Sequence, residues 1–211
     1  ETEEIAEEAA ALVSIEIEPL PVITDPRVAF ANGSILSGTR KFTKGNVDEA
    51  FAQCKYVFEG KTESGGQEHL YLETQGAYAY PTEHDSVKIY SSTQGPTAVQ
   101  RTVARVLGLG MNKVEVDVAR LGGGFGGKED QASGWGTMAA MVAWVLKRPA
   151  KCVPHRMDDM RMTGKRNPYS SDFKIGLDEN LKIQAYQATF YQNGGAAADL
   201  SPAILERTLF H

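Results

Sequence analysis

Cysteine is nearly absent. The 211 residues hold two, Cys54 and Cys152, far apart and in no CxxC pattern, so neither a disulfide framework nor a zinc site is indicated. A two-iron cluster takes four protein ligands, usually thiolates, and this chain alone cannot supply them. Long apolar runs are missing too: none approaches the ~20 residues that cross a bilayer. The N-terminus is acidic where a secretory leader is basic and then apolar, which makes a cytoplasmic protein the simplest expectation. Nor is there a basic excess. Lys and Arg total 22 against 27 Asp and Glu, a net charge of -5, and neither nucleic acid nor membrane is expected as a partner. No repeat of fixed period and no low-complexity tract occurs.

The bulk composition, 42% hydrophobic and 23% charged, is that of a soluble globular domain. A chain of this length builds its core without a metal or disulfide staple. Glycine is the exception, at 21 of 211 residues, about 10% against a usual ~7%. The glycines gather in GGGFGG, Gly122–Gly127, and in the pairs Gly65-Gly66 and Gly194-Gly195. Beside strands, glycine serves tight turns or close backbone approach, so these runs are the first places to look for a site.

The opening, ETEEIAEEAAALVSIEIEPLP, reads as a helix with glutamates 1, 3, 4, 7 and 8 on a solvated face, then a half-buried strand through Val13, Ile15 and Ile17. Its abruptness suggests a start in the middle of a larger protein. Residues 22–45 read as loop or linker. Asn46 is placed to cap a short helix through Phe51, and Tyr56, Phe58 and Gly60 open a run of strands. Ala77–Tyr80 and Val87–Ser92 are two strands across a turn. Pro96 fits the first turn of a helix, with Val99, Val103 and Val106 as its buried stripe and Gly108 as its end. The pattern then recurs. Strand Val114–Val118 leads through the glycine loop into a helix from about Asp130, whose stripe is Trp135, Met138, Val142 and Val145. A strand at Lys151–Pro154, a short helix at Asp158–Met162, a strand pair at Phe173–Leu177 and Ile183–Tyr191, and a helix after Pro202 complete a mixed α/β (α+β) chain.

The loop LGGGFGGKED, Leu121–Asp130, lies between a strand and a helix, so its N–H groups and the helix N-terminus favour an anion. Three readings of function compete with a purely structural turn. As a P-loop, Gly122, Gly127 and Lys128 satisfy GxxxxGK, but Glu129 stands where Ser or Thr is needed for Mg²⁺. As a dinucleotide fingerprint, Gly122, Gly124 and Gly127 fit GxGxxG, yet no acid follows at ~20 residues to bind a ribose. The third reading is a crevice in which Phe125 and the backbone approach a large cofactor and Glu129 reaches a substrate. A non-catalytic interaction module, self-associating through apolar surface, is a further class.

GGQEHLYLET (Gly65–Thr74), STQ (Ser92–Gln94), GGGFGGKE (Gly122–Glu129) and LERTLFH (Leu205–His211) occur in this order in xanthine dehydrogenases and aldehyde oxidases, and the chain resembles that family from about Glu1 to its last residue. The resemblance implies the molybdenum-cofactor-binding domain of the xanthine dehydrogenase type, truncated. Residues 1–25 would be the end of a preceding α/β hammerhead domain, 26–45 a linker, and 46–211 the N-terminal part of the molybdopterin-binding domain. It also implies hydroxylation of a carbon next to nitrogen or oxygen, with water as the oxygen source. The cofactor would be molybdenum-molybdopterin, with no direct protein ligand to the metal. Electrons would leave to 2Fe-2S clusters and FAD on other domains or subunits, within a homo- or hetero-oligomer.

By the same resemblance Gln94 hydrogen-bonds a molybdenum oxo group, Gly124, Phe125 and Gly126 lie against the centre through their backbone, and Glu129 orients a purine where aldehyde oxidases tend to carry an apolar residue. A purine or related N-heterocycle is therefore the expected substrate, an aldehyde the alternative within the family, and a P-loop-like nucleotide module the alternative from another class. Plainer roles stay open: Gln94 near a helix N-cap, Phe125 in core packing, Glu129 as a first-turn acid. Gln67, Glu68 and His69 fit a buried supporting network better than catalysis, and His84, His155 and His211 are scattered, with no metal cluster expected. The family's general base is a glutamate beyond His211, as is a second substrate-gripping arginine. The chain is accordingly expected to be a fragment without turnover that binds cofactor weakly or not at all.

Overall fold

The computed structural model describes residues 2–211; Glu1, counted above on the acidic face, lies outside them. The Thr2 side chain accepts from the Ile5 N–H and starts α1, Glu3–Ala11, which buries none of its residues. The strand expected next does not form. Val13, Ile15 and Ile17 are 65%, 72% and 78% exposed, and residues 12–25 run as irregular chain. A strand must pair its N–H and C=O groups, and among the described residues no backbone hydrogen bond joins residues 14–17 to another segment. Asp25 caps α2, Pro26–Ala31, a short helix inside the expected linker. The Asn46 side chain accepts from Glu49 N and caps α3, Val47–Ala52, as anticipated.

The remaining elements are β1 (Tyr56–Ser64), β2 (Ala77–Thr82), β3 (Ser86–Ser91), α4 (Pro96–Leu107), β4 (Val114–Asp117), α5 (Ala132–Leu146), β5 (Ala150–Cys152), α6 (Arg156–Met162), β6 (Tyr169–Leu177), β7 (Ile183–Gln192) and α7 (Ser201–Phe210). They form two sheets. One is antiparallel, in the order β1-β6-β7. The other runs β4-β3-β2-β5, with β3 and β4 parallel and the other pairs antiparallel. The parallel pair needs a crossover, and α4 supplies it. Pro96 opens that helix and Gly108, at φ 67°, ends it in the left-handed conformation glycine tolerates.

Helices α4 and α5 cover one face of the mixed sheet. The core between them holds Ala79, Val87 and Ile89 of the strands, Val99 and Val103 of α4, and Ala139, Ala140 and Ala143 of α5. The α5 stripe expected from its large residues is on the wrong side: Met138, Val142 and Val145 are 42%, 43% and 70% exposed, and Trp135 is half-buried. Its buried face is instead small, made of Ala132, Ser133, Gly136, Ala139, Ala140 and Ala143. The helix lies too close to its neighbours for anything larger: a Cβ at Gly136 would sit 2.7 Å from Val99 Cγ1. On α4 the stripe turns likewise, with Val106 exposed and Ala104 buried beside Val99 and Val103.

Gly136→Val should therefore destabilise the protein by about 1–3 kcal/mol, the usual cost of overpacking. Urea unfolding checks this, and a midpoint equal to that of the parent would contradict the packing described.

Candidate functional site

Because β3 and β4 are parallel neighbours, their C-terminal ends lie side by side and the two strand-to-helix connections meet. The first, Ser92–Gly95, grips the second. Gln94 N donates to Lys128 O at 2.7 Å, and Thr93 Oγ1 donates to the same carbonyl at 3.1 Å. In return Gln94 Oε1 accepts from Gly126 N at 2.9 Å and Lys128 N at 3.3 Å. Two N–H donors on one amide oxygen fix which way the amide faces. The Gln94 Nε2 donor is left without a partner among the described residues, on an exposed side chain. Gln94 lies in the N-cap region as the residue before the cap Gly95, and its side chain caps nothing there.

The glycines make this contact possible. A Cβ at Gly124 would collide with the Gln94 side chain, and one at Gly127 would lie 2.7 Å from His69 Nδ1 and 2.9 Å from Tyr71 Cε1. Gly123 and Gly126 take φ of 90° and 91°. Phe125 between them takes φ 52°, a strained value for a residue with a side chain. Its ring is 74% exposed, so core packing is not its role. The Phe125 N–H has no partner among the described residues. Glu129 is half-buried, its carboxylate makes no hydrogen bond or ion pair among the described residues, and it lies outside α5, ahead of the N-cap Gln131. The first-turn role does not apply to it.

The loop's floor is a buried polar network that reading along the sequence missed. Lys128 is fully buried, with Nζ donating to Glu73 O and Ser92 Oγ at 2.7 Å each and lying 4.5 Å from the Tyr71 ring centre. Burial pulls this ammonium below the ordinary lysine range, against the pull of Glu73. Tyr71 donates to the buried Asp159 at 2.6 Å, which also accepts from Gln75 N at 2.6 Å. Burial, with Asp159 beside it, pushes the Tyr71 hydroxyl up to about 12. Gln75 Nε2 donates onward to Gly127 O at 2.7 Å. No local period signals this network, because Leu72, Glu73 and Gln75 sit in bends outside any strand and their partners lie far along the chain.

Several expectations are corrected by this geometry. Lys128 points into the protein, so the P-loop reading lacks its phosphate-binding lysine. The N–H groups of Gly122, Gly126, Gly127 and Lys128 are spent on Glu73, Gln94 and Gly124, so the loop is not the open anion nest expected. Gln67 is exposed and pairs with Arg166 in an isolated bridge. Glu68 accepts from His69 N and faces Lys165 at 2.8 Å. His69 stacks on Tyr71, with ring centres 6.3 Å apart. The supporting network thus runs through Tyr71, Glu73 and Gln75 rather than Gln67 and Glu68. His155 is not isolated either: its Nε2 lies 3.2 and 3.6 Å from Glu3 and Glu7 on the open surface.

The family model for the molybdopterin cofactor-binding domain matches residues 30–211. The xanthine dehydrogenase of Blastobotrys adeninivorans is 42% identical over 208 residues, 98% of this chain and 15% of that protein. The xanthine dehydrogenase/oxidase of Gallus gallus is 36% identical over 212 aligned positions, covering 100% of this chain and 16% of that protein. The chain thus spans about 15% of the length of the curated relatives it matches. Among solved structures, the aldehyde oxidoreductase from Desulfovibrio gigas superimposes with a TM-score of 0.78 at 21% identity, over 90% of this chain and 22% of that one. The CO dehydrogenase from Oligotropha carboxidovorans gives 0.76 at 25% identity, over 89% and 26%. These likenesses place the fold.

The burial of the Tyr71 hydroxyl, reinforced by its bond to Asp159, carries a pH signature. The hydroxyl titrates near 10 when unfolded and at about 12 when folded, so its stabilisation is complete below 10 and is lost as pH rises through 12. Tyr71→Phe should cost most at neutral pH, and its gap from the parent in urea unfolding should narrow between 10 and about 12. A gap that stays constant across that range would refute the assignment.

Proposed function

The chain belongs to the molybdopterin cofactor-binding domain family, and on that basis we propose that it serves a molybdenum hydroxylase oxidising a purine or related N-heterocycle. Water is the oxygen source, and electrons pass to 2Fe-2S clusters and FAD on other domains or subunits of an oligomeric enzyme. One observation carries the reading. The loop takes the oxygen of the Gln94 amide and leaves its N–H₂ outward, beside a strained, exposed Phe125 whose own N–H is unpartnered. Such donors fit a group that presents oxygen or sulfur acceptors, as a molybdenum–pterin centre does. When bound, that group supplies the redox centre that takes two electrons from substrate.

The chain's own residues then have distinct tasks. Gln94 Nε2 donates to an acceptor atom of the cofactor, and its aim is set beforehand by Gly126 and Lys128, so no reorganisation is needed during turnover. Gly124, Phe125 and Gly126 wall the site with backbone, which lets the cofactor come closer than side chains would allow. The unpartnered carboxylate of Glu129 accepts N–H donors of the heterocycle and holds it in register. That preference favours a purine over a simple aldehyde. The proton acceptor is assigned to no residue of this chain. We further assign residues 1–25 to the end of an α/β hammerhead domain, 26–45 to a linker and 46–211 to the first part of the cofactor domain; the family match itself begins at residue 30, inside the assigned linker.

In the full-length enzyme, Gln94→Ala should lower kcat by about 10²-fold, the usual cost of one preorganised donor. Glu129→Ala should lower kcat/KM for a purine more than for an aldehyde. Steady-state kinetics on both substrates decides: unchanged purine kinetics removes Glu129 from substrate binding, and normal turnover in Gln94→Ala removes Gln94 from the cofactor.

A further inference from the structure

We propose that Glu73 and Lys128 form a clasp that holds the Gly122–Glu129 loop at a fixed span, which makes both of them positioning residues. The proposal rests on the reading of this loop as a wall of the molybdenum site. Glu73 ties the loop at both ends. At the start, Gly122 N donates to Glu73 Oε2 at 2.8 Å and Gly122 O accepts from Glu73 N at 3.0 Å. At the end, Lys128 Nζ donates to Glu73 O at 2.7 Å and reaches Glu73 Oε2 at 3.4 Å. Ser92 joins the two, accepting from Lys128 Nζ at 2.7 Å and donating to Glu73 Oε2 at 2.7 Å. Three donors therefore converge on one carboxylate oxygen.

Between the tied ends, Gly123, Phe125 and Gly126 all take positive φ. Such a run persists only where its surroundings over-determine it. The tether also explains why a lysine follows the glycines. An ammonium is costly to bury, and Lys128 is fully buried without facing the crevice. The cost is met by Glu73 O, by Ser92 and by the Tyr71 face, and what it secures is the loop. Charge behaviour agrees with the geometry. Partial burial works against the Glu73 carboxylate, yet the Gly122 N–H, the Ser92 hydroxyl and Lys128 hold it below the ordinary carboxylate range.

The test uses the full-length enzyme. Glu73→Ala removes the shared oxygen and should speed hydrogen exchange, read by mass spectrometry over residues 119–130, about tenfold or more; molybdenum content or kcat should fall by a factor in the 10–100 range typical of groups that orient a metal site. Glu73→Gln keeps one oxygen for the three donors and should restore loop protection and turnover. Ser92→Ala, a small-for-small change, should raise exchange in the same peptides by a lesser factor, and it decides the matter if Glu73→Ala does not fold. Loop exchange equal to the parent in the folded variants overturns the clasp. Exchange that rises in Glu73→Ala and recovers in Glu73→Gln, with molybdenum content and turnover at parental levels throughout, upholds the clasp and overturns the placing of this loop in a molybdenum site.

Discussion

Gly124 leaves no room for a Cβ between the loop and the Gln94 side chain, and Gly127 leaves none before His69 and Tyr71. The contacts of Gln94 with the loop, and the seating of the loop on His69 and Tyr71, presuppose these two approaches. A methyl group at Gly124 would push Gln94 away from the Gly126 and Lys128 amides and free its own amide to turn, and one at Gly127 would lift the loop off His69 and Tyr71. The same constraint governs the scaffold, where Gly136 and the alanines of α5 bring that helix against Val99 and the sheet. The site is therefore an outcome of close packing.

Most of the architecture was legible along the chain because its punctuation is strong. Pro96 and Gly108 bracket α4, Asn46 caps α3, and the alternation in β2 and β3 matches their pairing. The glycine loop and Gln94 were readable as a unit through the order of the motifs. Two kinds of statement were not. Which face of α5 is buried depends on how near its neighbours come, and hydrophobic size pointed to Met138, Val142 and Val145 when the available space admits only Ala and Gly. Where Lys128 points depends on Glu73, Ser92 and Tyr71, which lie 36 to 57 residues earlier, and no local pattern announces such partners. The Val13–Ile17 strand failed for a related reason: alternation describes a side-chain pattern, while a strand also needs a neighbouring backbone.

The polar floor has a further property. Lys128 and Asp159, both fully buried, bear opposite charges on the two sides of Tyr71, one over its ring and the other at its hydroxyl. Neither charge is left without hydrogen-bonding groups: Lys128 has a carbonyl and a hydroxyl, and Asp159 a phenol and a backbone N–H. Buried ions satisfied in this way contribute geometric definition more than net stability, which suits a surface whose task is to hold one loop conformation.

That arrangement also orders events in time. Gln94 and Lys128 are 34 residues apart, whereas Tyr71 and Asp159 are separated by 88. Loop closure grows more costly with separation, and a chain made from its N-terminus presents the earlier partners first. During synthesis the glycine loop can meet Gln94 before the segment carrying Asp159 has emerged. The upper surface of the crevice can thus take shape while its foundation is still incomplete, and the arrival of α6 completes the ground on which the loop rests.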